Sequence, residues 1–307
     1  MNIRSLPLAL VLATSTLVAT ACSPSTPTQV LNPTPGATLI AKEISIVTST
    51  SVWGEIAREV GKVATGVQVH VTPIISGTNQ DPHTFEPTAK DLAQAHEADI
   101  VVVGGGGYDA WLYKNIKEDK IIHALPLEDH DHEHKHSDES NVPGIANNEH
   151  IWFDPLAVEQ VASALATAIT DISPHATVDL DGFLKSLDDI HERLHRLPTR
   201  SIAQTEPIAD YLIAYTPMQE ITPAHYRSAT LSEREPTAAD VAKFLEVIMS
   251  GELDILIHNP QTSTDLTRRL VDVALDCGVK VVEVYETPAE GETYLEFLTH
   301  TIDRLSA

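Results

Sequence analysis

Cysteine is scarce in this chain: Cys22 and Cys277 are the only two among 307 residues. That excludes a structural zinc site of the three- or four-thiolate kind. Positive charge is scarce too, with 20 Lys and Arg against 44 Asp and Glu and a formal net charge of −24. A surface so acidic repels phosphate, which argues against nucleic acid and anionic membrane surfaces as partners. Long apolar runs are almost missing. The one candidate, "SLPLALVLATSTLV" at residues 5–18, falls short of the roughly 20 residues that span a bilayer with ease.

That run follows a single basic residue, Arg4, and is followed by "VATAC". Small residues before a cysteine, after a short apolar core, read as an export signal over residues 1–21 that ends at a lipoprotein cleavage site. Cys22 would become the lipidated first residue and anchor the chain to the extracytoplasmic face of a membrane. A plain secretory signal is the alternative. Residues 22–40 are rich in Ser, Thr and Pro without periodicity and read as a flexible tether. With Cys22 lipidated, Cys277 has no partner. No internal disulfide is expected, and Cys277 is expected to be a buried small hydrophobe.

The remainder alternates short apolar runs with helical patterns. Strands are expected at 44–49, 67–71, 99–105, 253–258 and 279–286, and helices at 53–63, 88–96, 237–249 and 263–275. Such alternation implies an α/β protein of parallel sheets covered by helices, long enough for two lobes. Between the halves, Leu180, Phe183, Leu184, Leu187, Ile190, Leu194 and Leu197 recur at steps of three and four. They predict an amphipathic helix of about five turns that Pro198 ends. It is either a stiff link between lobes or an ordinary surface helix.

"EDHDHEHKH", residues 128–136, sets His130, His132, His134 and His136 at alternate positions. Imidazole makes metal the first thought. In extended chain, alternate residues stand roughly 6–7 Å apart, whereas two nitrogens on one zinc lie roughly 3.3 Å apart. The stretch must bend to chelate, and nothing in it enforces one bend. It reads as a loose collector, auxiliary to a site held by folded elements. Four such positions stand near predicted strand ends or in loops: His83 in "GTNQDPHTFEPT", His150 in "NNEHIWFDP", Glu206 in "SIAQTEP" and Glu286 in "VVEVYETP". Each alone is weak, since loop His and Glu are usually solvated. The run "GGGGYD" at 104–109 lacks the Gly-Lys-Ser/Thr of a phosphate loop. Its glycines are expected to allow a tight turn near the cleft.

Taken together, these blocks resemble the metal-binding receptors of zinc and manganese ABC importers, the cluster A-I solute-binding lipoproteins. "DPHTFEPTAKDLAQAHEADIVVVGGGGYDAWL" resembles the family's first-ligand block. "HIWFDP" resembles the second, where the family usually has Pro and this chain has Glu149. "TEPIADYL" resembles the third, which carries Glu in manganese receptors and His in many zinc receptors. "YETPAEGETYLEFL" resembles the fourth, where Asp is usual. The resemblance implies two lobes, each a mainly parallel sheet flanked by helices, joined by one long linking helix. On that basis residues 41–175 form the N-terminal lobe with a His-rich loop at 128–139, residues 176–198 the link, and residues 199–307 the C-terminal lobe.

It also implies a metal held by His83, His150, Glu206 and Glu286, with His258, at the end of a predicted strand, a rival for the fourth place. Two imidazoles and two carboxylates balance a divalent charge, and two come from each lobe, so the ion would bridge them. The cargo is expected to be Zn²⁺, with Mn²⁺ second: the Irving–Williams order favours zinc, although Glu206 matches the manganese branch. The expected partners are an ABC permease and its ATPase, with the receptor a monomer. A surface adhesin or metal buffer is the alternative. A metallohydrolase would need an open coordination position, which a four-ligand set fills. His83 and His150 must be deprotonated to ligate, and free imidazole titrates near about 6.5, so affinity should fall steeply below roughly pH 6 with close to two protons taken up per metal released.

Overall fold

The computed structural model describes residues 42–78, 80, 82–127, 145 and 148–307. The export signal, Cys22, the tether and the His-rich stretch with His130, His132, His134 and His136 lie outside the described residues.

The first half runs β1 (Lys42–Thr50), α1 (Ser51–Lys62), β2 (Ala64–Thr65), β3 (Val67–Ile75), α2 (Ala89–Glu97), β4 (Ile100–Val103), α3 (Ala110–Tyr113), β5 (Ile121–His123) and α4 (Pro155–Ile172). Then come β6 (Thr177–Val178) and α5 (Asp181–Leu194). The second half runs β7 (Ser201–Gln204), α6 (Asp210–Ala214), β8 (Gln219–Glu220), α7 (Ala224–Leu231), α8 (Ala238–Met249), β9 (Ile255–His258), α9 (Asp265–Asp276), β10 (Lys280–Glu283) and α10 (Tyr294–Ser306).

Two parallel four-stranded sheets result, ordered β3-β1-β4-β5 and β10-β9-β7-β8. Counted along the chain, both sheets place their second strand beside the first and then the third and fourth on its other side. This is the doubly wound order whose ligands bind beyond the carboxyl ends of the strands. Residue alternation divides each strand between two faces. Ile44, Ile46, Ile100 and Val102 of the first sheet and Ile202, Ile255, Ile257 and Val282 of the second belong to one continuous core. The opposite faces build smaller clusters around Val101 and Val103 and around Ala203 and Leu256. Burial on both sides explains why these strands read as unbroken apolar runs.

The linking helix is shorter than its periodicity suggests. Thr177 and Val178 pair antiparallel with Thr65 and Ala64, so the first predicted turn is spent as β6 and helix begins at Asp181. Asp179 accepts from the Asp181 amide at 3.1 Å. Phe183, Leu187, Ile190 and Leu194 bury the predicted stripe, and Arg193 pairs with Asp303 of α10. Two helices that the sequence reading leaves unassigned, α4 and α10, flank α5. Asp154 caps α4 by accepting from Leu156 N at 3.0 Å, with Pro155 opening the helix. Thr293 and Glu296 form a capping box on α10. Cys277 is exposed, contrary to expectation: it caps the end of α9 after the last buried turn. No helix among the described residues is long and apolar enough to cross a membrane.

Candidate metal centre

The candidate site residues follow the carboxyl ends of strands in both sheets. After β3 the chain makes a short 3-10 turn over Pro82–Thr84 that carries His83. After β4 come the glycines. Gly105, Gly106 and Gly107 have φ of +81°, +64° and +103°, and a Cβ on Gly105 would stand 2.1 Å from the Leu125 carbonyl oxygen. Only glycine fits there. The amides of Gly104 and Gly105 donate to the buried Asp109 carboxylate at 2.6 and 3.0 Å. Burial pushes that carboxyl up to about 6 against those hydrogen bonds. The turn delivers Tyr108, whose hydroxyl donates to Glu286 Oε2 at 2.5 Å and whose ring meets His83 edge-on at 5.0 Å.

His150 begins the 3-10 turn Ile151–Phe153 ahead of α4 and is buried. Its Nδ1 and its backbone amide both lie 2.9 Å from Asn148 Oδ1. The Asn148 amide is oriented because its Nδ2 donates to the Pro207 carbonyl at 2.6 Å and to Asp210 Oδ2 at 2.8 Å. Asp210 in turn accepts from Gln204 at 2.7 Å and from both Arg227 nitrogens at 2.8 and 2.6 Å. An amide oxygen only accepts, so His150 Nδ1 carries the hydrogen and Nε2 keeps its lone pair. That Nε2 is buried with no hydrogen-bond partner. A buried orphan acceptor is costly unless something else occupies it, and this one suits a cation.

Glu286, fully buried after β10, places Oε1 3.5 Å from His83 Nε2. One ligand atom from each of His83, His150 and Glu286 lies within 4.8 Å of the others. Glu206, after β7, stands one bridge away: Asn259 Nδ2 donates to Glu206 Oε1 at 2.6 Å and to Glu286 Oε1 at 2.8 Å. Thr262 donates to Glu206 Oε2 at 2.6 Å. His258 is buried at the end of β9 with Nδ1 3.2 Å from Thr205 Oγ1. Among the described residues it joins no cluster of metal-ligating atoms. A second cluster shares His83: its Nδ1 lies 3.6 Å from Glu233 and 4.0 Å from Glu149.

The titrating groups divide the charge among them. Burial opposes a charge on His83, but Glu233, Glu286 and Glu206 outweigh it and raise this imidazole well above its usual range. His150 is lowered to about 4 by burial, with Glu286 only partly opposing. Burial would raise Glu286, yet His83, His150 and the Tyr108 hydroxyl hold it down. Glu206 is pushed up to about 7 by burial and by Glu286. Near neutral pH a proton on His83 therefore balances the charge on Glu286. The two histidines are not equivalent, as free-imidazole reasoning would have them: burial holds His150 neutral, while neighbouring carboxylates keep the proton on His83.

Tyr108, Asn148, Asn259, Thr262 and Glu233 were not legible as site residues. For Tyr108 the signal lay in the glycine run that aims it. For Asn148 and Asn259 it lay in their adjacency to His150 and His258. Sequence reasoning also missed a His-Glu-x-x-His run, from His191 on α5 to His195, which caps its end, the spacing that sets two imidazoles on one helix face. Its rings lie 4.8 Å apart, tilted by 45°, and pack on Tyr215, while Glu192 is 3.4 Å from Arg196 on the exposed side. No third ligand closes on that pair among the described residues.

Residues 46–307 match the family model described as ZnuA, zinc-uptake complex component A periplasmic. The manganese-binding lipoprotein MntA of Halalkalibacterium halodurans is 22% identical over 285 residues, covering 85% of this chain and 86% of that protein. The iron-binding protein YfeA of Yersinia pestis is 22% identical over 292 residues, covering 87% and 86%. Among solved structures, the laminin-binding protein Lmb of Streptococcus agalactiae, titled a bifunctional protein with adhesin and metal transporting activity, superposes with a TM-score of 0.65. Its identity is 18%, over 86% of this chain and 98% of that one.

Proposed function

Because this chain belongs to the family of zinc-uptake complex component A proteins, we propose that it is the extracytoplasmic receptor of a metal importer, capturing a divalent transition metal in the cleft between its sheets. His83, His150 and Glu286 are the core ligands and Glu206 the fourth, reached by a small shift once Asn259 releases a carboxylate oxygen. The observation that carries the reading is His150 Nε2, a buried lone pair without a partner, set among an imidazole and a carboxylate. Charge supports it too, since the ion replaces the His83 proton beside Glu286.

Zinc is the favoured cargo. Two imidazoles with carboxylates bind it more tightly than manganese or iron unless geometry forbids it, and the relatives named for manganese and iron are too distant to decide otherwise. Delivery is to a permease and its ATPase, with Cys22 lipidated, residues 22–40 as tether, and one copy of the chain holding every ligand. The role is that of a carrier and not of an enzyme: the core ligands and Glu206 together leave no open coordination position for a reacting water.

Titration calorimetry with Zn²⁺, Mn²⁺ and Fe²⁺ tests capture: His150→Phe should remove one tight equivalent, and retention of that equivalent refutes the site. A strain lacking the gene, grown under separate zinc and manganese limitation, tests cargo. If only manganese content falls and only manganese restores growth, the zinc assignment fails and the receptor reading stands.

A further inference from the structure

The ligating atoms form a graded series from solvent to interior. The Glu233 side chain is 66% exposed, Glu149 and His83 are 19% and 20% exposed, and Glu286 is fully buried. His83 divides the series, with Nδ1 facing Glu149 and Glu233 and Nε2 facing Glu286. Glu149 precedes α4 in the first half of the chain, and Glu233 follows α7 in the second, so the outer group, like the inner one, draws on both halves. Glu233 alone among the described non-glycine residues has a left-handed backbone, φ +52°. An L-residue avoids that conformation without local compensation. The Glu233 carboxylate lies 3.6 Å from His83 Nδ1.

We propose that Glu149, Glu233 and His83 Nδ1 form an outer waypoint that a divalent cation occupies on its way into and out of the buried site. This rests on the capture reading above. The chemistry is stepwise dehydration. A hydrated ion cannot shed its water for buried ligands in one event, but one exposed and one partly buried carboxylate with an imidazole nitrogen can replace part of the shell at the rim. A neutral imidazole has one lone pair, so His83 gives its Nδ1 proton to solvent as the ion arrives at the rim. As the ion moves inward to Glu286 and His150, the ring takes a proton back from water at Nδ1 and releases the one on Nε2, with one proton lost overall. A waypoint lowers the barrier in both directions, so it acts on rates and not on the balance between them.

The test is stopped-flow mixing with Zn²⁺ alone, following tryptophan emission, since the Trp152 ring lies 5.2 Å from His150. Chelator chase gives the release rate. The protein is the full chain, as wild type, as Glu149→Gln/Glu233→Gln, and as Asp272→Asn/Asp276→Asn. The last variant removes the same charge from the exposed face of α9. Acids focused at a cleft raise on-rates by about tenfold or more, so the first double variant should take up Zn²⁺ about tenfold more slowly and release it about tenfold more slowly. The α9 variant should match wild type. Faster release with unchanged uptake would make Glu149 and Glu233 ligands of the final site and overturn the waypoint. Equal slowing in both variants would reduce it to net charge and overturn it as well, as would unchanged rates. Failure of the wild type to bind one tight equivalent would instead refute the capture reading.

Discussion

Lowering pH should weaken metal binding from a higher starting point than ordinary histidines allow. To ligate, His83 must lose a proton that Glu286, Glu233 and Glu206 help it hold well above the usual imidazole range. The sign follows: a raised pKa in the metal-free protein means affinity is still climbing as pH passes neutrality. Each pH unit below that pKa costs about tenfold, or ~1.4 kcal/mol. Glu206, pushed up to about 7, adds nearly another tenfold per unit once pH is well below that value. Between pH 6 and 5 both act, and affinity should fall about 100-fold, ~2.7 kcal/mol. His150, at about 4, adds almost nothing in that interval. Between pH 7 and 8 two free imidazoles of pKa ~6.5 would change affinity by less than about twofold, whereas His83, held above that range, should make the change larger. The assay is calorimetry on a chain lacking residues 128–139, in buffers of different ionisation enthalpy, which counts protons released per metal. The expected count is about two at pH 5, smaller at pH 8, and lower by about one in Glu206→Gln at pH 5. A flat affinity from pH 7 to 8 with under half a proton released refutes the charge arrangement.

Three further outcomes follow from the same geometry. Asn148→Ala removes the acceptor that fixes the His150 tautomer and should weaken metal binding ten- to a hundredfold, roughly the cost of losing such a partner, as measured by chelator competition. Gly105→Ala forces a Cβ against the Leu125 carbonyl at positive φ; a cost of about 2 kcal/mol or more should lower the melting temperature by roughly 5 °C or more in a thermal scan. Deleting residues 128–139 should leave one tight equivalent and abolish the weaker ones; loss of the tight equivalent would make the His-rich stretch the principal site.

The sheets were legible because parallel strands buried on both faces leave runs such as Ile100–Val103 and Ile255–His258 that little else produces. The link's first turn was not, because Thr177 and Val178 form β6 through residues more than a hundred positions earlier, and helical periodicity carries no record of that pairing. His83, His150 and Glu286 surfaced through blocks matched in order. Their unlike proton affinities did not, because they depend on which carboxylates from the other half of the chain lie alongside. Asn259 joins Glu206 to Glu286 across 80 residues of sequence with an amide that looks unremarkable in any window. The buried side of α10 follows the same logic. Its pattern is ordinary, and its partners are α5 and α1.

The core that runs without a break beneath both sheets ties the fate of one half to the other. Phe153, just ahead of α4, stacks on Phe297 of α10 at 5.7 Å, and both belong to the cluster that holds Ile44 and Val282. Neither half can therefore be cut out and kept folded, since each would present to water the face the other covers. Phe297→Ala, a change in the last helix costing about 3–5 kcal/mol, should loosen the strand that carries Ile44 as much as the one that carries Val282. Amide exchange would show protection falling in step across the two sheets, with heat unfolding remaining one transition.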